Sequence, residues 1–243
     1  MEFIEFKKEL ENIFEKNSLS DLVTDERVQK LYDLTQIMLE VNKSMNLTAI
    51  TDEKAIILKH YADSLTVSKY IPQNARVIDI GCGAGFPCLP LAIFRSDLTI
   101  TALDATAKRI KYVQETANKL GLSNVLAISA RAEDLAKLVD YRESYDVATA
   151  RAVAALPILS ELCLPFVKKG GKFVAMKASQ GENEATDAAN AIKLCGGSLI
   201  SVDRFSLVSD TDSDTRVIVS VSKVSQTPSK YPRHYSQIVK KHL

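Results

Sequence analysis

Apolar residues recur at helical spacing through the first third of the chain and then give way to a strand–helix alternation. Phe3, Ile4, Phe6, Leu10, Ile13 and Phe14 interleave with charge over residues 2–17, which predicts an amphipathic helix ending near Asn17-Ser18. A second helix is expected after Thr24, with Val28, Leu31, Leu34, Met38 and Val41 inward. The polar run 42–48 reads as a turn. A third helix, capped around Thr51 or Asp52, carries Ile56, Ile57, Leu58, His60, Tyr61, Asp63 and Leu65.

Beyond a joint at Pro72-Gln73-Asn74 the pattern becomes regular. Val77, Ile78 and Ile80 form a β-branched run of the kind buried on both faces of a sheet. Further strands are expected at 98–103, 124–129, 145–150, 172–176, 198–202 and 216–223. Helices are expected at 88–94, 106–120 (ended by Gly121), from about 132, at 154–167 and at 182–194. Such alternation predicts an α/β fold with a Rossmann-like, doubly wound, mostly parallel sheet. The last two strands have no helix between them, so an antiparallel hairpin should close that edge. The chain then divides into an N-terminal helical extension (1–70), an α/β domain (71–224) and a basic tail (225–243).

The turn after the first strand carries the most specific signal. It reads Asp79-Ile80-Gly81-Cys82-Gly83-Ala84-Gly85-Phe86-Pro87. A dinucleotide loop is Gly-x-Gly-x-x-Gly, and a triphosphate loop ends in Lys-Ser/Thr; neither is present. The spacing Asp-x-Gly-x-Gly-x-Gly instead resembles the first motif of class I S-adenosylmethionine-dependent methyltransferases. That cofactor offers an amino acid, a ribose and an adenine, but no phosphate.

In an open parallel sheet, ligands bind beyond the C-terminal strand ends. Gly81, Gly83, Gly85 and Phe86 follow the first strand; Phe86 either borders a cofactor or fills the core. Asp104 follows the second strand, 25 residues after Asp79, and either accepts ribose hydroxyls or caps the next helix. Arg131, Ala132, Glu133 and Asp134 follow the third strand, as an adenine-reading edge or a plain helix start. Arg151 follows the fourth, where its multidentate cation suits phosphate, carboxylate or guanine, or a surface ion pair.

Composition adds exclusions. Of 243 residues, 46% are hydrophobic and 25% charged, and the net charge of +1 gives no global attraction to nucleic acid. No apolar run reaches the ~20 residues of a membrane span, and the N-terminus has no signal-peptide character, so a cytoplasmic location without membrane attachment is expected. Cys82, Cys88, Cys163 and Cys195 lack metal-ligand spacing and read as small hydrophobes of a reducing compartment; no metal is expected.

With these residues assembled, the sequence resembles the bacterial 16S ribosomal RNA guanine-N7 methyltransferases, also called the glucose-inhibited division protein B family. The matching blocks are Asn46-Leu47-Thr48-Ala49-Ile50, His60-Tyr61-Ala62-Asp63-Ser64-Leu65, the glycine turn, Lys108-Arg109, Arg131-Ala132-Glu133, Ala150-Arg151-Ala152-Val153, Leu164-Pro165 and Lys169-Gly170-Gly171. They span about residues 40–178 in the family's order. The resemblance implies a seven-stranded sheet with an antiparallel edge strand and S-adenosylmethionine as cofactor. Its cofactor contacts fall on Gly81, Phe86, Ala132, Glu133 and Arg151, to which the strand-end argument adds Gly83, Gly85 and Asp104. The implied substrate is N7 of a guanine in 16S ribosomal RNA, naked or in the 30S subunit, with Asn46, His60, Asp63 and Arg151 as candidate contacts. The chain departs from the family at Cys88-Leu89, at Ala178, and in the tail after Tyr231-Pro232-Arg233.

Guanine N7 has a lone pair and no proton, so this transfer needs orientation rather than a general base. Accordingly no catalytic proton carrier is assigned; His60 is either packed or in contact with RNA. Lys108, Arg109 and Lys111 cluster on one helix. Lys223, Lys230, Arg233, Lys240 and Lys241, with Tyr231 and Tyr235, form a segment without acids that either binds RNA or stays solvated. A monomer is expected. Two other readings remain: a small-molecule methyltransferase lidded by the helical extension, and a noncatalytic RNA-binding assembly protein.

Overall fold

Strand β1 (Arg76–Ile80), buried at four of its five residues, runs between β2 (Thr99–Asp104) and β4 (Tyr145–Arg151) at the centre of the sheet. The computed structural model describes residues 1–243. Adding β3 (Val125–Ser129), β5 (Val167–Lys177), β6 (Gly197–Val208) and β7 (Ser213–Lys223) gives one seven-stranded sheet in the order β3-β2-β1-β4-β5-β7-β6. The first five strands pair in parallel. The expected hairpin forms, and β7 lies antiparallel between β5 and β6, which leaves β6 as the outermost strand. Strand order reverses between β1 and β4, so the crevice of a doubly wound sheet opens beyond their C-terminal ends.

Helices cover both faces. The N-terminal set is α1 (Phe3–Lys16), α2 (Asp25–Met45), α3 (Glu53–Ile56), a π-helical stretch Ile57–Ala62, and α4 (Asp63–Leu65). Thr24 and Asp52 cap α2 and α3 by accepting from the backbone of Arg27 and Ala55, as their residue types favour. Phe6, Leu10, Phe14, Leu31 and Leu34 are fully buried in one cluster with Phe94 and its neighbours in α5 (Cys88–Phe94), so the extension and the sheet share one core. α6 (Ala107–Lys119), α7 (Ala132–Leu135), α8 (Leu156–Cys163), α9 (Gly181–Asp187) and α10 (Ala189–Leu194) complete the layers. The helix expected over 182–194 is thus two helices joined at Ala188.

The tail departs most from its sequence reading. Lys223 is 1% exposed; its ammonium donates to the carbonyls of Leu164 (2.6 Å) and Val167 (3.0 Å) and pairs with Glu143 at 2.9 Å. Burial pushes its pKa down, and the Glu143 hydrogen bond opposes that shift. Arg233 forks onto the fully buried Glu161 while staying partly exposed, and Tyr231 is in the core, so Tyr231 and Lys223 are not offered to RNA or solvent. Arg142 donates to the carbonyls of Thr227 and Tyr231. The tail ends in α11 (Tyr235–Lys240), seated on buried Ile238. Removing one partner of a buried pair strands the other's charge. Lys223→Met should therefore lower unfolding free energy by about 3 kcal/mol in urea titrations; unchanged stability would contradict the buried-ammonium account.

Candidate cofactor and acceptor sites

The glycine turn is built by hydrogen bonds that pull it onto the tip of β2. The N–H groups of Gly81 and Cys82 both donate to the Leu103 carbonyl, at 2.7 and 3.0 Å. Gly83 N–H donates to Asp104 Oδ2 at 3.1 Å, and Thr106 N–H to Asp104 Oδ1 at 2.7 Å. Asp104 thus accepts at the start of α6, as its capping reading expects, and ties the glycine loop through its other oxygen. Beneath the turn, Asp79 is 1% exposed and accepts from Cys88 N–H and the Thr149 hydroxyl. Burial raises its pKa to about 7.

Two of the three glycines serve internal packing. Gly81 has a φ of +71°, and a Cβ there would come within 2.5 Å of Val153; at Gly85 it would meet Leu89 at 2.4 Å. Only at Gly83 does the space stand open, with nothing but the loop's own Gly81 carbonyl at 3.9 Å. The bare bend therefore leaves open space at Gly83, whereas Val153 occupies the room at Gly81.

Two hollows lie beyond the strand ends. The smaller, of about 150 Å³, is lined by Gly81, Asp104, Ala132, Glu133, Val153 and Tyr235, among others. The larger, of about 400 Å³, is bordered by His60, Asp63, Arg151, Lys177, Glu184 and Arg216 and neighbouring residues. The segment 151–153 divides them. Its middle residue, Ala152, holds φ = +55°, a left-handed conformation that costs a non-glycine residue ~1 kcal/mol or more. Lys177 Nζ donates to the Ala154 carbonyl, and Glu184 accepts from Leu156 N–H while pairing with Lys177 at 2.7 Å. These bonds fix the end of the strained segment.

Arg151 organises the larger hollow. Its Nη1 donates to the Lys59 carbonyl (2.8 Å), within the π-helical stretch, and to Asp63 Oδ2 (3.0 Å). Its Nη2 lies 3.3 Å from His60 Nδ1, and its guanidinium sits over the Phe86 ring. Arg216 Nε donates to the other Asp63 oxygen at 3.1 Å. His60 stacks on Phe86 at 4.3 Å, nearly parallel, and its Nε2 meets the Thr48 hydroxyl at 3.0 Å. Because Arg151 can only donate, Nδ1 must accept, which assigns the proton to Nε2. Desolvation, reinforced by the Arg151 charge, lowers the His60 pKa to about 3.

The candidate residues therefore fall into two groups and one outlier. Gly81, Asp104, Ala132 and Glu133 line the smaller hollow; His60, Asp63 and Arg151 line the larger one. Gly83 opens beside Asp104, Gly85 turns into α5, and Phe86 lies beneath His60 and Arg151 at 4% exposure. Asn46 borders neither hollow. It is the left-handed residue (φ 50°) that ends α2, a position asparagine tolerates, and its side chain is solvent-exposed. Arg216, Lys59, Lys177 and Glu184 escaped the sequence reading as site residues, and Tyr235 was read only as a tail residue for RNA or solvent. Each is placed by a partner distant in the chain, and only the charge of Arg216 opening an apolar strand run hinted at a role.

The smaller hollow suits a nucleoside without phosphate. The turn over residues 81–87 has no Lys or Arg to hold one, and the Asp104 carboxylate would repel it. Ile80, Leu103 and Leu162 supply apolar walls, with Asp104 left to accept hydroxyls. Together with the sheet order, this defines a class I S-adenosylmethionine-dependent methyltransferase. Solved structures agree on the fold: a precorrin-6y C5,15-methyltransferase from Geobacter metallireducens aligns with a TM-score of 0.53 at 19% identity, over 74% of this chain and 92% of that one. M. jannaschii TYW2 in complex with AdoMet gives 0.54 at 17% identity, over 67% and 75%.

The particular family follows from closer relatives. The family described as rRNA small subunit methyltransferase G matches residues 27–211, and the chain belongs to it. Proteins named ribosomal RNA small subunit methyltransferase G are 46% identical in Staphylococcus aureus, over 87% of this chain and 88% of theirs, and 43% identical in Leuconostoc citreum, over 89% and 91%.

The depressed His60 pKa has a measurable consequence. An unfolded chain takes up that proton near pH 6.5 and the folded one only near 3, so neutral His60 contributes stability above pH 6.5 that is lost as pH falls toward 3. His60→Gln should remove on the order of a few kcal/mol of that acid-limb slope in urea titrations across this window. An unaltered slope would show that His60 is not held neutral.

Proposed function

We propose that the protein transfers the methyl group of S-adenosylmethionine to N7 of a guanine in 16S ribosomal RNA. Family membership supports the ribosomal RNA and the cofactor. The observation that favours N7 is the absence of a disengaged proton acceptor in the larger hollow. His60 has both ring nitrogens engaged, Asp63 is held between two guanidiniums, and Glu184 is paired with Lys177. An exocyclic amine must shed a proton on methylation, and N7 need not.

When bound, S-adenosylmethionine supplies an electrophilic methyl on a sulfonium. Asp104 and the open backbone at Gly83 would hold its ribose end, and Ala132 and Glu133 its base. Segment 151–153 separates that pocket from the acceptor. Arg151 uses three of its five N–H bonds on Lys59, Asp63 and His60, so two remain to donate to a guanine edge or a phosphate. Its contribution is to fix the acceptor in line. Whether the RNA is naked or within a 30S subunit, the reaction belongs in the cytoplasm.

Mapping 7-methylguanosine in 16S RNA by chemical cleavage tests this directly. Incubation of unmethylated 30S subunits or RNA with protein and S-adenosylmethionine should give one new cleavage site, and Asp104→Ala should lower the yield at limiting cofactor by tenfold or more (about 1.4 kcal/mol). Methyl incorporation elsewhere than N7, or none, would overturn the proposal.

A further inference from the structure

The tail reaches the nucleoside pocket. Tyr235, the first residue of α11, lines the smaller hollow beside Gly81, Asp104, Ala105, Ala132 and Glu133. Its backbone N–H donates to Glu133 Oε1 at 3.3 Å, and the Arg131 guanidinium lies 5.8 Å from its ring centre. It contributes the only aromatic ring of that lining; the other walls are aliphatic, small or charged.

The ring's position is set by a chain of buried and half-buried charges. Lys223 and Glu143 hold the end of β7 and the backbone of Thr227, Arg142 grips the carbonyls of Thr227 and Tyr231, and Arg233 forks onto Glu161 two residues before Tyr235. Ile238, fully buried, anchors the far side. Five charged residues, of which Lys223 and Glu161 are buried, are a large commitment for a solvated tail. They are accounted for if the segment must deliver one side chain to one place.

We propose that Tyr235 is a cofactor-binding residue that forms the outer wall of the adenine end of the pocket and selects for an adenine-bearing ligand. This rests on the reading of the smaller hollow as the S-adenosylmethionine site. The order of residues sets the end: Asp104 at the tip of β2 and Gly83 beside it take the ribose, and Glu133, to which Tyr235 is bonded, lies in α7 just beyond the tip of β3, one strand further from the glycine turn. A flat purine between aliphatic floor and phenol ring gains stacking area that no aliphatic wall offers equally.

The test is equilibrium binding, by calorimetry, of S-adenosylhomocysteine and of S-ribosylhomocysteine, which lacks the adenine, to the full-length protein. Tyr235→Ala should weaken S-adenosylhomocysteine about tenfold and leave S-ribosylhomocysteine within about twofold, while Tyr235→Phe, which keeps the ring, should bind like wild type. Asp104→Ala serves as the control on the pocket itself and should weaken both ligands. If wild type binds, Asp104→Ala is impaired and Tyr235→Ala is not, the tail assignment is wrong and the pocket stands. Equal loss of both ligands in Tyr235→Ala, or loss in Tyr235→Phe, also overturns the adenine-wall role. If Asp104→Ala binds normally, the pocket reading fails and the Tyr235 proposal falls with it.

Discussion

A carboxylate held between two guanidiniums is the contact on which the acceptor site depends. Asp63 offers one oxygen to Arg151, from the end of β4, and the other to Arg216, from β7. At 5% exposure it brings a residue of the helical extension onto the tips of two separated strands. Were Asp63 removed, two cations close to each other would lose their shared counter-charge in a site with little water to screen them. Arg151 would then lose the reference that aims its remaining N–H groups, and the Lys59 carbonyl and His60 could not fix it alone.

The cofactor pocket obeys a different constraint. It is shaped by what is withheld: no cation in the glycine turn, a carboxylate where a phosphate site would place a donor, and side-chain-free backbone at Gly83. The two sites meet at Ala152, whose left-handed backbone lets Arg151 face the acceptor side while Val153 packs onto Gly81. Nothing between them offers a free proton acceptor. That chemistry is consistent with methylation of a lone pair and with rate enhancement from alignment rather than proton transfer.

The parts of this arrangement that were legible in the sequence are those set by local pattern. Strand–helix alternation gave the sheet, and the missing helix between the last two strands gave the hairpin. The chemistry of residues at strand ends picked out Asp104 and Arg151, and shared motif blocks picked out His60 and Asp63, but the pairing of Arg151 with those two emerged only from the fold. What was not legible depends on long-range pairing. A lysine in an acid-free segment reads as solvated until its partner is known, and for Lys223 the partner is Glu143, on a loop before β4. Arg233 and Glu161 are 72 residues apart. Asn46 shows the converse: a polar residue in a distinctive block whose place is explained by the backbone turn it permits. The glycines at 81 and 85 looked like room for a ligand; a Cβ there would meet Val153 and Leu89, and Gly81 lines the smaller hollow as well.

The most direct measurement is a double-mutant cycle between Asp63 and Arg151, read as the single-turnover rate of methyl transfer to 16S RNA. If Asp63 acts by holding Arg151 in place, Asp63→Asn and Arg151→Gln should each slow transfer, and the double variant should be little worse than Arg151→Gln alone. Independent effects that add in free energy would contradict the account.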